Sequence, residues 1–319
     1  MIESLQDTPG EFAPGHPLEG LHELGEAELV GNYPDGSPQW HELRSRGIGG
    51  SDIASIFHIG FTSKYMLWMQ KTGIVPPTEH DEATAELFEW GHRLEAPIAQ
   101  RFTEGHPEFE VITDTGSWRH RIHRFQLANP DGLLIHRETG EILVLEIKTS
   151  MTGTGWGPKG SGEAGVPKKY LAQVRWYLAT FGFRQAIIVV LIGLGDYREY
   201  PVYANDLWYA EALALATEFV QSMELGIAPE IDGGKDTYAY LRGRNLSIDP
   251  KGKVELPDEV GTMIEGARAL EKLAESEMHK AKGHALAHMG TAKVATWQGK
   301  PIAGREAKGE DGIPYIKFK

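Results

Sequence analysis

The stretch NPDGLLIHRETGEILVLEIKTS, residues 129–150, contains two short apolar runs around a polar turn and ends with an acid and a base two positions apart. A strand turns successive side chains to opposite faces, so Glu146 and Lys148 share one face while Leu145 and Ile147 share the other. Burying a charge costs several kcal/mol unless it is paired or used, so Glu146 and Lys148 read either as an ion pair or as part of a site. Thr139-Gly140 reads as a two-residue hairpin turn, which sets Glu138 against Glu141 and Asp131 against Lys148. Opposed residues of an antiparallel ladder share a face, so Asp131, Glu146 and Lys148 converge on one patch.

Two carboxylates beside a lysine suit a hard divalent cation that takes oxygen ligands and leaves room for water and phosphate. The chemistry this predicts is metal-assisted phosphodiester hydrolysis, with Lys148 either positioning the attacking water or stabilising charge on phosphorus oxygens. Glu146, Ile147 and Lys148 alone read better as a surface ion pair on an edge strand.

Outward from this stretch, WHELRSRGIGGSDIASIFHIG (40–60) predicts a short helix, a glycine-rich turn and a second helix near Ser51, with Ser51 and Asp52 as good N-cap types. ATAELFEWGHRLEAPIAQRFTEG (83–105) predicts a long helix with Leu87, Trp90, Leu94 and Ile98 in one apolar stripe and a kink or restart at Pro97. Residues 151–166 are too rich in glycine for regular structure, Pro167 opens a helix through Phe181, and QAIIVVLI (185–192) is a buried strand. A strand near 197–203 and a helix from Asp206 to Leu225 closed by Gly226 follow. Helices on a mixed sheet place this region in the α/β or α+β class.

The formal charge is −13, but residues 1–39 hold eight acids and no Lys or Arg, leaving −5 for the other 280 positions. This Pro/Gly-rich stretch reads as a mobile acidic leader. Beyond residue 228 a polar helix over about 257–289 and a hairpin-like tail read as an added module, giving domains 1–39, 40–227 and 228–319. There are no cysteines, which excludes disulfides, thiol nucleophiles and iron-sulfur clusters. No apolar run is long enough to span a membrane and no signal pattern opens the chain, so a cytoplasmic protein is expected. His284 and His288 lack an intervening H-E-x-x-H frame, and no phosphate loop ends in G-K-[ST].

The pattern NPDG (129–132) followed by EIK (146–148) resembles the PD-(D/E)XK nuclease motif. Together with WHELRSRGIGGSDIASIF, FEWGHRLEAPIAQRF and KKYLAQVRWYLATFG, it is similar to the YqaJ-like viral recombinase family. The resemblance implies a restriction-endonuclease-like core with a mixed central sheet flanked by helices. It implies magnesium-dependent 5′-to-3′ digestion of one strand of linear duplex DNA, with manganese as a substitute ion. It also implies a phage or prophage enzyme in the bacterial host, a ring-shaped trimer, and transfer of the strand to a single-strand annealing protein.

By the same resemblance the metal site falls on Asp131, Glu146, the Ile147 carbonyl and Glu95. Lys148 and Gln173 complete the catalytic group, and Arg44 with Ser51 bind the 5′-phosphate of the DNA end. The glycine-rich turn suits that last role, because it offers backbone N–H groups beside a guanidinium fork. Trp40, Arg46, Arg119, Arg121, Trp156 and Lys159 are further candidate DNA contacts, with solvation or packing as the plain alternative for each. The segment before PDG offers no further matching acid, and Asp114 stands too far back. Competing readings are a structure-specific or nicking endonuclease on the same core, or an end-binding module without catalysis.

Overall fold

The computed structural model describes residues 12–34, 36–76, 81–244, 246–309 and 312–318. The chain forms two compact units, Met1–Leu246 and Ser247–Lys319. The first therefore extends past the boundary expected after residue 227.

In chain order the first unit contains strands β1 (Glu23–Leu24) and β2 (Ala27–Gly31), then helices α1 (Pro38–Arg46), α2 (Gly50–Ile56), α3 (Lys64–Lys71) and α4 (Glu82–Gly105). Strands β3 (Phe109–Thr113), β4 (Ser117–His120), β5 (Leu127–Ala128), β6 (Gly132–His136) and β7 (Ile142–Ser150) come next. Helix α5 (Lys168–Phe181), strands β8 (Gln185–Ile192) and β9 (Asp196–Tyr203), and helices α6 (Asp206–Leu225) and α7 (Lys235–Gly243) complete it.

The central sheet runs β3-β6-β7-β8-β9. Only β7 and β8 pair in parallel, and α5 is the crossover that a parallel pair requires. This is the mixed α/β arrangement expected. Both faces of the sheet are covered. Leu134, Leu143, Leu145, Ile147 and Val189 pack on Ile98, Ala99 and Phe102 of α4. Val144, Ala186, Ile188 and Val190 join the larger core with α2, α3, α5 and α6. Hence β7 is apolar on the α4 face, while the opposite face reads Val144, Glu146, Lys148, an acid in a core position.

Several expectations change. The β6–β7 connection is a four-residue loop, Arg137 to Gly140, closed by His136 N donating to the Glu141 carbonyl at 2.8 Å. Gly140 adopts φ +72°, a conformation glycine takes without a Cβ clash. The register is Gly132↔Leu145, so Asp131 falls level with Glu146 rather than Lys148. A slip of two residues preserves the face, so the convergence of the three charged groups survives.

The acidic leader also supplies structure. β2 pairs with β4 within a second sheet, β1-β2-β4-β5, and Ala27, Leu29 and Val30 are buried. Alternation of apolar Ala27, Leu29 with Glu26, Glu28 was the signal available, masked by the charge count. Residues 1–11, part of the same leader, lie outside the described residues.

Helix α4 continues through Pro97, and its stripe is half-buried at Leu94 and buried only from Ile98 onward. Leu87 and Trp90 are 55% and 52% exposed, because the helix outruns the sheet face it covers. Finally, Gly49 rather than Ser51 is the N-cap of α2.

The second unit holds α8 (Asp258–Met289) and a three-stranded antiparallel sheet of β10 (Val294–Trp297), β11 (Lys300–Glu306) and β12 (Tyr315–Phe318). The tail is thus a meander rather than a single hairpin. Met289, Ala303 and Ile316 form its small core. No helix of the described residues is long and apolar enough to cross a membrane.

Candidate active site

The site lies where β6 ends beside β7. Because β6 begins at Gly132, opposite Leu145, the next residue of β7 facing that side, Ile147, has no ladder partner there. Its N–H donates instead to Asp131 Oδ2 at 2.7 Å. A strand residue directs its N–H and C=O to the same side, so the Ile147 carbonyl looks into the same gap.

On the α5 face, Glu146 is fully buried. Its Oε1 accepts from Lys148 Nζ at 2.5 Å and from Gln173 Nε2 at 2.6 Å. Lys148 Nζ also lies 3.8 Å from Asp131 Oδ2. Gln173 Nε2 reaches Tyr177 Oη at 3.2 Å, so the amide ties α5 to the acid on the strand. The half-buried amide expected at Gln173 therefore packs and positions Glu146 at once.

Burial pushes the Glu146 carboxyl up to about 8, with the Asp131 charge next in effect and Glu95 adding to the same push. Burial works against the Lys148 ammonium, but the Glu146 and Asp131 charges outweigh it and hold the lysine cationic above its usual range. Burial and the same carboxylates raise the Tyr177 hydroxyl. Only with Asp131, Glu146 and Glu95 all ionised would the site carry more negative charge than Lys148 balances.

Glu146 Oε2 is buried with no hydrogen-bond partner. That is costly unless a further positive group shares the site. The donors on hand are a buried carboxylate oxygen, Asp131, and a backbone carbonyl at an open strand end. Among the described residues, no three His, Cys, Asp or Glu side chains form a ready metal cage. A mixed set of two carboxylates and a carbonyl completed by water nevertheless fits a hard divalent cation.

A cleft of about 510 Å³ adjoins this group, lined by Asn32, Tyr33, His92, Glu95, Asp114 and Asp131 among others. It brings Glu95, expected as a site acid, to the same opening as Asp131. Asp114, which sequence spacing set aside, lines it too. Asp114 has φ +59° and accepts from Asn32 Nδ2 at 3.1 Å. Its place depends on the β3–β4 connection and on a leader residue, neither of which the motif encodes.

The expected 5′-phosphate pair also comes together. Arg44 Nη2 donates to Ser51 Oγ at 2.9 Å, and its guanidinium lies 4.6 Å from the Trp40 ring. Sequence reasoning missed what holds them. Lys71 Nζ donates to the carbonyl of Arg44, to that of Gly47 at 2.7 Å, and to Asp52 Oδ2 at 2.7 Å. Asp52 Oδ2 in turn accepts the Gly49 N–H at 2.9 Å.

The Lys71 and Asp52 side chains are only 7% and 9% exposed. Burial opposes the Asp52 charge, yet Lys71 and Arg44 hold its carboxyl below the usual range, while burial lowers Lys71. Gly50 admits no side chain, since a Cβ would stand 2.6 Å from Gln173 Cγ. The glycine-rich turn is therefore pressed against the residue that grips Glu146.

The other candidate contacts separate from this group. Arg46 pairs with Glu42 at 2.5 Å along α1. Arg119 and Arg121 pair with the leader acids Glu28 and Glu23 at 2.5 and 3.1 Å, so their charge is met within the fold. Lys159 is exposed near Asp196 at 3.9 Å. Trp156 stacks on Tyr170 with ring centroids 5.5 Å apart and contacts Tyr200, which makes it a packing residue of the 151–166 loop. That loop includes a short 3₁₀ turn, and its Gly157 carbonyl accepts from Arg198 at 2.6 Å and Tyr200 at 2.5 Å. His288 Nδ1 lies 2.8 Å from the His284 carbonyl, in keeping with the surface reading.

Three solved structures are similar to part of this chain. LHK-Exo in complex with dAMP is 19% identical, with 65% of this chain and 96% of that chain covered and a TM-score of 0.46. The alkaline exonuclease LHK-Exo from Laribacter hongkongensis is 18% identical over 60% of this chain and 94% of its own, with a TM-score of 0.44. A phage-related exonuclease from Haemophilus somnus is 13% identical over 63% of this chain and 97% of its own, with a TM-score of 0.41. No curated protein matches the chain. The family model described as the YqaJ-like viral recombinase domain matches residues 39–184, a span that holds Arg44, Ser51, Glu95, Asp131, Glu146, Lys148 and Gln173. Over residues 39–184 the chain is thus similar to the YqaJ-like viral recombinase domain.

Proposed function

We propose that this chain is a magnesium-dependent exonuclease that digests one strand of linear duplex DNA in the 5′-to-3′ direction. The observation that carries the reading is the buried Glu146, gripped through Oε1 by Lys148 and Gln173 and left without a partner at Oε2. A purely structural ion pair has no use for an orphaned buried oxygen.

Asp131, Glu146 and the Ile147 carbonyl would hold the cation, with Glu95 at the cleft. When bound, the cation supplies Lewis-acid polarisation of the phosphodiester. Lys148 stays charged beside the two carboxylates and stabilises the negative charge that develops on phosphorus oxygens. Gln173 fixes the Glu146 rotamer from α5. Arg44, backed by Trp40, and Ser51 hold the terminal 5′-phosphate, which orients the first scissile bond toward Lys148. The names of the structural neighbours, an alkaline exonuclease and a phage-related exonuclease, agree with this reading.

In that role the enzyme resects DNA ends for phage-type recombination in the bacterial cytoplasm, works as a trimeric ring, and passes the exposed strand to an annealing protein. The test is a time course on linear duplex labelled at either end, with 5′-phosphate or 5′-hydroxyl termini, with and without magnesium, beside a closed circle. Magnesium-dependent loss of the 5′ label from phosphorylated ends is expected. Cuts in the circle would favour an endonuclease, and tight end binding without cleavage would overturn the enzyme reading.

A further inference from the structure

The turn after α2 presents Phe61 to solvent with 77% of its surface exposed. The turn is firmly held. On its near side His58 N donates to the Ser55 carbonyl at 3.0 Å and Ile59 N to the Ala54 carbonyl at 2.9 Å. On its far side Ser63 N donates to Asp236 Oδ2 at 2.8 Å, and Ser63 Oγ meets Thr237 Oγ1 at 2.7 Å. A large ring fixed in water on a pinned turn contributes nothing to the core.

What lies against it is a cation. Lys169 Nζ stands 3.4 Å from the Phe61 ring centroid and 4.9 Å from that of Tyr170. Among the described residues, no carboxylate forms an ion pair with Lys169, whereas Arg46, Arg119, Arg121, Arg175 and Arg198 each have one. Tyr170 is braced by the stacked Trp156, and Lys148 Nζ lies 5.5 Å from the Tyr170 ring. Ring and ammonium thus alternate from Phe61 through Lys169 and Tyr170 to the catalytic lysine.

Aromatic faces interleaved with cations are how proteins track a single nucleic-acid strand, since every base offers a π-face and every step a phosphate. The position fits as well. Helix α2 carries Ser51 near its start and leads into the Phe61 turn at its end. Its seven residues span about 10 Å at 1.5 Å per residue, on the order of three nucleotide steps of 3.4 Å. Building on the nuclease reading, we propose that Phe61, Lys169 and Tyr170 form a nucleotide subsite for the strand that enters the catalytic centre. Phe61 stacks a base, Lys169 pairs the adjoining phosphate, and Tyr170 links the subsite to Lys148.

The test uses the full chain and a 5′-phosphorylated duplex with 2-aminopurine at successive positions near the end, in EDTA so that no hydrolysis competes. Wild-type protein is expected to quench the probe at one of these positions. Phe61→Ala should abolish that quenching and weaken binding about tenfold, while Phe61→Trp restores both. Lys169→Gln should lower the slope of log K against log salt by about one unit. Quenching and affinity unchanged in Phe61→Ala, or an unchanged salt slope in Lys169→Gln, would overturn the subsite. Failure of wild-type protein to digest DNA in magnesium, with the binding results as expected, would instead fault the nuclease reading alone. Absence of DNA binding by wild-type protein would sink both.

Discussion

At the residue scale, two buried charged groups do different work. Lys71 and Asp52 neutralise one another and fasten the backbone at Arg44, Gly47 and Gly49. Lys71→Met leaves Asp52 buried and unpaired, so urea denaturation should show a loss of about 3–5 kcal/mol. Combining it with Asp52→Leu should recover much of that loss, yet not the preference for phosphorylated ends, because the turn holding Arg44 has lost its tie. Glu146 is the opposite case, buried with Oε2 unpartnered, and under the proposed function it serves the chemistry. Gln173→Ala removes one donor to its Oε1, and nucleotide release under saturating DNA should fall about tenfold or more, the scale of a hydrogen bond to a charged group. The melting temperature should change little by comparison. Sequence spacing could name Asp131, Glu146 and Lys148 because strand periodicity puts them on one face. It could not name Lys71, whose partners lie 19 to 27 positions away and meet it only through packing of α3 against α1 and α2.

At the element scale, α4 is the brace of the site, carrying Glu95 midway and ending in a titratable joint. His106 caps it, lies 3.0 Å from Glu108 and 2.9 Å from Glu199 on β9, and stacks on Phe102. Burial disfavours the charged ring, but hydrogen bonds and charges from Glu108 and Glu199 outweigh it and raise its pKa above 6.5. A raised histidine contributes stability that is complete below 6.5 and lost as pH rises through its folded value. Thermal melts should therefore show the wild type falling relative to His106→Gln as pH rises above 6.5, whereas parallel curves would contradict the assignment. Elements with strong periodicity, such as β8 and α6, were legible from residues alone. The β6–β7 loop was not, because Thr139-Gly140 supports more than one loop length and only packing selects the four-residue form.

At the scale of the whole molecule, net charge misled while pattern did not. The acids Glu23, Glu26 and Glu28 look like a solubilising tail, yet they pair with Arg121, His120 and Arg119, and Phe12, Leu18 and Leu29 fill the core beneath them. Removing residues 1–31 should cost on the order of 5 kcal/mol or more, from the buried side chains of Phe12, Leu18, Leu29 and Val30 alone, with Trp118 fluorescence shifting red. A leader without structural role would leave the unfolding midpoint unchanged. The same pairing withdraws Arg119 and Arg121 from the pool of free cations, so under the proposed function DNA would be met by the local group around Arg44, Lys148 and Lys169.

The measurement that tests the central claim most directly is the single-turnover rate of nucleotide release from phosphorylated linear duplex by wild type, Glu146→Gln and Lys148→Ala, with folding checked by circular dichroism. If Asp131, Glu146 and Lys148 form the cleaving centre, both variants lose about 10²–10³-fold or more in rate while still binding DNA ends. Folded variants that release nucleotides within a few-fold of the wild-type rate would contradict the account.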